Sequence, residues 1–158
     1  MLMKYSEYQI VFAEVPDEVT LAINISGCPN KCPDCHSKHL WEDVGEILSR
    51  ESLASLIEDN QGISCVCFMG GDQNPLKIIE LTQFIRKSYP NLKIGWFSGK
   101  SALNDALMDK VLVSLDYLKL GPFLKDYGPL NNPNTNQKFY QVVEKKLIDI
   151  TYKFWKHE

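Results

Sequence analysis

The stretch that decides the fold is LAINISGCPNKCPDC, residues 21–35, in which a strand-like run leads directly into three cysteines. Its first six residues alternate apolar with small or polar side chains, a period of two that predicts a β-strand, and a glycine ends the run. Cys28, Cys32 and Cys35 follow with the spacing Cys-x3-Cys-x2-Cys, and no fourth cysteine stands close behind them. The sequence therefore places three thiols on one loop at the end of a predicted strand.

Three thiols in this spacing favour an iron–sulfur cluster. A four-iron, four-sulfur cube normally takes four thiolates, so three would leave one iron open to a ligand from outside the protein. A Cys3His zinc site that uses His36 or His39 is an alternative, although zinc loops usually pair two Cys-x2-Cys knuckles and one is present here. A plain electron-transfer ferredoxin would need Cys65 or Cys67 to leave an apolar strand in which both are expected to be core residues.

Downstream, strand-like and helix-like segments alternate. The segments that the pattern predicts are a helix from Ser49 to about residue 60, a strand at 63–69, a helix from Pro75 to residue 89, a strand at 92–98, a helix from 101 to about 108 and a strand within 114–120. Such alternation indicates βαβ units and a parallel sheet. Four such strands are too few for an eight-stranded barrel, so we expect an open, partial α/β barrel.

The two ends of the chain read as β-hairpins. Residues 8–12 and 21–26 are expected to pair across the turn at 16–18, and residues 139–155 form a second hairpin with a solvated Lys145-Lys146 turn. Between them, residues 121–138 are rich in Gly, Pro and Asn and predict a long loop of the kind that often carries function. With 158 residues and no linker, the chain is expected to be a single domain over residues 1–158.

Composition excludes several classes of protein. Lys plus Arg number 17 and Asp plus Glu 20, a net charge of −3 without the basic surface of a nucleic-acid binder. No apolar run is long enough for a membrane span, and the first residues lack a signal-peptide core. The five cysteines are not spaced like a disulfide framework. We therefore expect a cytoplasmic protein that binds neither nucleic acid nor membrane.

The three-cysteine loop after the first parallel strand resembles that of the radical S-adenosylmethionine (SAM) enzymes. This resemblance implies an open (β/α) barrel of the radical SAM type, with Cys28, Cys32 and Cys35 as ligands of a [4Fe-4S] cluster. It also implies that SAM binds the open iron through its amino and carboxylate groups. In that family, reductive cleavage of SAM gives methionine and a 5′-deoxyadenosyl radical, and the protein supplies position and shielding.

Further motifs resemble a subfamily, the activating proteins of anaerobic (class III) ribonucleotide reductases. Gly70-Gly71-Asp72, at a predicted strand end, resembles the motif that holds the methionine part of SAM. His36, next to the last cysteine, is a candidate neighbour of the adenine, or else a surface or zinc-binding histidine. Ser98 follows the next strand, where it is predicted either to hydrogen-bond SAM or to cap the following helix. Late segments of the subfamily resemble GPF at residues 121–123 and TNQK at residues 135–138, with lysine in place of the usual arginine.

The resemblance implies an activase that makes a glycyl radical on the large subunit of anaerobic ribonucleotide reductase. An incomplete barrel suits a partner that inserts a glycine-bearing loop, and the reaction needs a low-potential electron donor such as flavodoxin or ferredoxin. The alternatives are an activase of another glycyl-radical enzyme of the pyruvate formate-lyase type, a small-molecule radical SAM enzyme such as the deazaguanine ring-contracting synthase, and a non-enzymatic zinc module.

Overall fold

The computed structural model describes residues 3–27 and 45–155. In chain order its strands, helices and final 3-10 turn are β1 (Lys4–Val11), β2 (Thr20–Ile25), β3 (Glu46–Ile47), α1 (Arg50–Asp59), β4 (Cys65–Met69), α2 (Pro75–Ser88), β5 (Lys93–Phe97), α3 (Asp105–Ser114), β6 (Tyr117–Leu120), β7 (Lys138–Val143), β8 (Lys146–Asp149) and a 3-10 helix (Thr151–Phe154). These elements form one mixed α/β unit.

The described strands form a single open sheet in the order β3-β1-β2-β4-β5-β6-β7-β8. Strands β2, β4, β5 and β6 are parallel neighbours, which confirms the predicted βαβ units. The two predicted hairpins are also present, because β1 pairs antiparallel with β2 and β7 pairs antiparallel with both β6 and β8. The sheet is open, as expected, and its four parallel strands bring their carboxyl ends to one edge.

The helices begin where the sequence supplies a cap, with one difference. Ser49 caps α1 through a reciprocal capping box, and Asn74 caps α2 with Pro75 at its first position, both as predicted. Helix α3 starts later than expected and runs on to Ser114, because Asn104 accepts a hydrogen bond from Leu107 N–H and serves as its cap. Within residues 3–27 and 45–155, no helix is long and apolar enough to cross a bilayer.

The two faces of the sheet have different surroundings. On one face, alternate residues of the parallel strands are buried against the helices, including Ile23, Phe68 and Trp96. The opposite face, called the inner face here, carries the intervening residues of the same strands, where Cys67 and Tyr117 join a second, smaller apolar cluster. Since side chains alternate across a strand, a residue's position in the strand decides which of these environments it meets.

Candidate functional site

Both ends of the cysteine-containing segment are fixed at the carboxyl edge of the parallel strands. Ser26, just after β2, donates its N–H to Lys4 O at 3.0 Å. On the far side of the segment, Leu48 N–H donates to Met3 O at 2.8 Å, and β3 pairs with Lys4 and Tyr5. Gly45 marks this return, since its φ is +108° and a Cβ there would lie 2.1 Å from Tyr5 O. The segment therefore leaves and re-enters the described fold at one place.

Four predicted site residues, Cys28, Cys32, Cys35 and His36, lie outside the described residues. Their roles as cluster ligands and as an adenine neighbour stay predictions. Within the described residues there is no group of three or more His, Cys, Asp or Glu side chains that could hold a metal ion.

The Gly-Gly-Asp motif follows β4 directly and lies beside the start of the cysteine segment. The two are joined by Gln73, whose Nε2 donates to Ser26 O at 2.8 Å. Gly70 and Gly71 have φ values of +107° and +96°, and a Cβ on Gly71 would lie 2.7 Å from Ile78 Cδ1. Glycine is therefore required for the chain to turn here against the core.

Asp72 is buried and holds the next strand end. Its Oδ1 accepts from the Ser98 hydroxyl at 2.5 Å, and its Oδ2 accepts from Gly99 N–H at 2.8 Å. Ser98 is therefore joined to the predicted Gly-Gly-Asp site, and the alternative that it caps α3 is wrong because Asn104 does so. A carboxylate held in this way at the end of β4 is of the type that accepts hydrogen bonds from an ammonium group.

An open cavity of about 1070 Å³ lies on the inner face of the sheet. Met69 and Phe97, the last residues of β4 and β5, form part of its wall. The rest comes from the turn between β1 and β2, the 121–137 loop and the 3-10 helix. Five members of the long loop line it: Phe123, Pro129, Leu130, Asn131 and Gln137. The functional role of that loop stays a prediction.

Lys119 is a candidate binding residue that the sequence analysis did not select. It faces the cavity from β6 and is 8% exposed, and its Nζ donates to Gly121 O at 2.6 Å and to Ser98 O at 3.1 Å. A buried ammonium on a cavity wall suits a carboxylate ligand. The available signal was a single charge inside YLKL, a short run otherwise typical of a buried strand.

Cys65 and Cys67 are core residues, as predicted, with free thiols on the inner face. Burial raises the pKa of Cys65 to about 12, and it raises the pKa of Cys67 well above its ordinary value. Since the thiolate is the form that ligates metal, these two side chains are poorly suited to the cluster. Nearby, burial and a 2.7 Å hydrogen bond to Glu18 raise the pKa of Tyr117, which stays a neutral donor.

Together these features define an α/β protein with a cysteine segment at the carboxyl edge of its parallel strands. A family model described as a 4Fe-4S single cluster domain matches residues 18–149, and the chain belongs to this family. No curated protein and no solved structure matches the chain.

The chemistry around this edge fits the cluster that the family implies. The only thiols among the described residues are the two buried ones of β4, whereas the segment between Gly27 and Gly45 contributes three. The side-chain Oε1 of Gln73, which lies at the foot of that segment, is buried and without a hydrogen-bond partner in the described part of the chain. A 4Fe-4S domain with iron–sulfur binding is thus consistent with the donor set.

Proposed function

We propose that this protein is a radical SAM activase that generates the glycyl radical on anaerobic ribonucleotide reductase. Cys28, Cys32 and Cys35 would ligate the [4Fe-4S] cluster, and Gly70 to Asp72 would hold the methionine part of SAM. The family match supports the cluster, and the Cys-x3-Cys-x2-Cys spacing supports three ligands and one open iron.

The observation that carries the proposal is the direct link between the two motifs. Gln73 joins the Gly-Gly-Asp turn to Ser26, the second residue before the first cysteine, with a hydrogen bond of 2.8 Å. A ligand that binds both a cluster iron and the end of β4 requires the cysteine segment and the Gly-Gly-Asp turn to lie side by side. Parallel strands lie about 4.8 Å apart, so the ends of β2 and β4 are within the span of one amino-acid-sized group.

Cys28, Cys32 and Cys35 would hold the cluster, which when bound and reduced would supply the one electron for cleavage of SAM to methionine and a 5′-deoxyadenosyl radical. The hydrogen atom taken from a glycine α-carbon of the partner would end in 5′-deoxyadenosine. The residues of this chain bind and shield rather than transfer protons. Asp72 would accept a hydrogen bond from the SAM amine, and His36 would flank the adenine.

The cavity supports a macromolecular partner. Its volume of about 1070 Å³ lies at the upper end of the usual range for small-molecule pockets, roughly 300–1,000 Å³, and the cavity is open along the inner face. A glycine-bearing loop can enter such an opening, whereas a small substrate would need closing walls. We propose the large subunit of anaerobic ribonucleotide reductase as that partner and a flavodoxin or ferredoxin as the electron donor.

The test is to detect the radical on the partner. Anaerobically reconstituted, reduced protein is mixed with SAM and the ribonucleotide reductase large subunit, and the glycyl radical is measured by electron paramagnetic resonance. We expect a glycyl signal, its loss in Cys32→Ala, and its retention in Cys65→Ala/Cys67→Ala as the matched control. A signal on pyruvate formate-lyase alone would identify the other activase class, and a colourless protein with stoichiometric zinc would contradict the proposal.

A further inference from the structure

Gln137 is a largely buried residue whose amide lies on the cavity wall. It is 6% exposed and lines the cavity just before β7. Its backbone N–H donates to Thr135 Oγ1 at 3.1 Å, whereas no hydrogen bond of its side-chain amide is found within residues 3–27 and 45–155. Neither amide atom of Gln137 is among the buried, unpaired polar atoms of the described residues, so the amide is open to the cavity and can hydrogen-bond a ligand there.

The backbone around Gln137 is held firmly in place. A Cβ on Gly121, whose φ is +108°, would lie 3.1 Å from Gln137 Cα, so glycine lets the two segments touch. Asn136 Nδ2 donates to Pro122 O at 3.0 Å, and the Thr135 hydroxyl donates to Gly128 O at 2.9 Å. The loop thus presents the Gln137 amide from a fixed position, as a preformed binding site requires.

The position of Gln137 separates it from the expected place of the cofactor. The cysteine segment and the Gly-Gly-Asp motif lie at the ends of β2 and β4, whereas Gln137 precedes β7, three strands beyond β4 in the sheet. Three strand spacings are about 14 Å. Gln137 therefore faces the far side of the cavity, where an occupant other than the methionine part of SAM would lie.

The chemistry at this end of the cavity matches a peptide backbone. The neighbouring wall includes Phe123, Leu130 and Phe154. Of the charged lining residues, Asp17 and Lys153 pair with each other at 3.4 Å, the Lys119 ammonium donates to the carbonyls of Ser98 and Gly121, and Glu14 adds one carboxylate. A glutamine amide offers a donor and an acceptor side by side, as a peptide unit does. A glycine-containing peptide segment suits this wall, because its backbone can pair with the Gln137 amide and it brings no side-chain charge of its own.

We infer that Gln137 is a positioning residue that hydrogen-bonds the backbone of the partner's glycine-bearing loop and so orients it in the cavity. This inference rests on the proposed function and adds the residue that recognises the substrate. It predicts that Gln137 matters for radical transfer to the partner and is dispensable for SAM binding and cleavage.

The test compares Gln137→Met, which keeps the length without the amide, with Asn131→Met as a matched control. Asn131 is an exposed amide that lines the same cavity. The measurements are SAM affinity, 5′-deoxyadenosine formed without partner, and the Michaelis constant and glycyl-radical yield with the ribonucleotide reductase large subunit. The thermal midpoint of each variant reports its folding.

For Gln137→Met we expect the Michaelis constant for the large subunit to rise about tenfold to a hundredfold, because a buried peptide group loses its partner. SAM affinity and partner-free 5′-deoxyadenosine should stay within about twofold, and Asn131→Met should resemble the unmodified protein. A parallel loss of SAM affinity would overturn the inference, as would unchanged partner kinetics.

Gln137→Ala serves as a second variant. If both Gln137 variants fail to fold, the residue is structural and the inference is wrong. If the unmodified protein itself forms no 5′-deoxyadenosine, the proposed function is wrong. A defect confined to the Gln137 variants would instead concern only the role of this residue.

Discussion

At the scale of single residues, the buried charge of Lys119 ties together the ends of β5 and β6. Its ammonium satisfies the carbonyls of Ser98 and Gly121, while the Ser98 hydroxyl binds Asp72. This chain of contacts connects the Gly-Gly-Asp turn to the long loop on the other side of the cavity. Loss of one member leaves polar groups of the next one buried and unpaired, which makes the cluster sensitive to substitution.

Lys119→Met tests this cluster. The substitution removes both bonds to backbone carbonyls, so we expect the free energy of unfolding to fall by about 2–4 kcal/mol. Lys100→Met is the control, since Lys100 is exposed and contributes to this region through its backbone; its effect should stay within about 0.5 kcal/mol. Urea denaturation measures both. Equal effects of the two substitutions would show that the buried ammonium does not stabilise the strand ends.

The buried thiols predict a dependence of stability on pH. Burial raises the pKa of Cys65 from its ordinary value of 9.0 to about 12, and it raises the pKa of Cys67 as well. The folded protein therefore keeps protons that the unfolded chain loses in this range. Their contribution to the free energy of unfolding is complete below about pH 9 and falls as the pH rises, by up to about 1.4 kcal/mol per pH unit for each thiol.

The measurement is urea unfolding of the reduced, cluster-free protein at about pH 8 and about pH 10, beside Cys65→Ala/Cys67→Ala. The unmodified protein should lose more stability than the double variant over this interval, because Tyr117 and the other titrating groups are common to both. Parallel pH profiles would mean that the two thiols ionise as readily in the folded state as in the unfolded one.

At the scale of elements, helix α3 shows how capping decides a boundary. The sequence predicts that this helix begins at residue 101, and both Ser101 and Asn104 have side chains that can cap a helix. The structure uses Asn104, whose Oδ1 accepts from Leu107 N–H at 2.8 Å, and this choice buries Leu107 and Val111 against the sheet. The packing of the apolar stripe therefore selects between two local signals of similar strength.

Substitution of the two candidate caps tests this boundary. Asn104→Ala should lower the free energy of unfolding by about 1 kcal/mol, because an N–H of the first turn loses its acceptor. Ser101→Ala should change it by less than about 0.5 kcal/mol, since Ser101 is exposed and precedes the helix. Chemical denaturation of both variants checks the difference, and a larger effect at Ser101 would contradict the assigned helix start.

The helices and strands that the sequence predicted correctly are those determined by patterns among neighbouring residues. Alternation at residues 21–26, the Asn74-Pro75 start of α2 and the buried run at Cys65 each act within a few neighbouring residues. Lys119 and Gln137 were not recognised as parts of one cavity because they meet through the pairing of β6 with β7, eighteen residues apart in sequence. Their placement on one cavity wall depends on the register between β6 and β7, and neither strand's sequence determines that register alone.

At the scale of the whole molecule, the open sheet leaves the inner face accessible between two hairpins. The turn of the first hairpin and the 3-10 helix both line the cavity, and Asp17 and Lys153 connect them at 3.4 Å. This pair is largely exposed on the Asp17 side, so it adds little to stability. An open α/β sheet of this kind accommodates an extended chain segment better than an enclosed pocket does.

We propose that three cysteines hold the [4Fe-4S] cluster and that its open iron takes SAM, and formation of 5′-deoxyadenosine tests this proposal most directly. Anaerobically reconstituted protein, reduced with dithionite and supplied with SAM, is compared with Cys28→Ala, Cys32→Ala and Cys35→Ala, and with Cys65→Ala/Cys67→Ala as the control. We predict 5′-deoxyadenosine and methionine in equal amounts from the unmodified protein and the control, and none from the three single variants. An intact cluster that releases no 5′-deoxyadenosine, or a control as inactive as the single variants, would contradict the account.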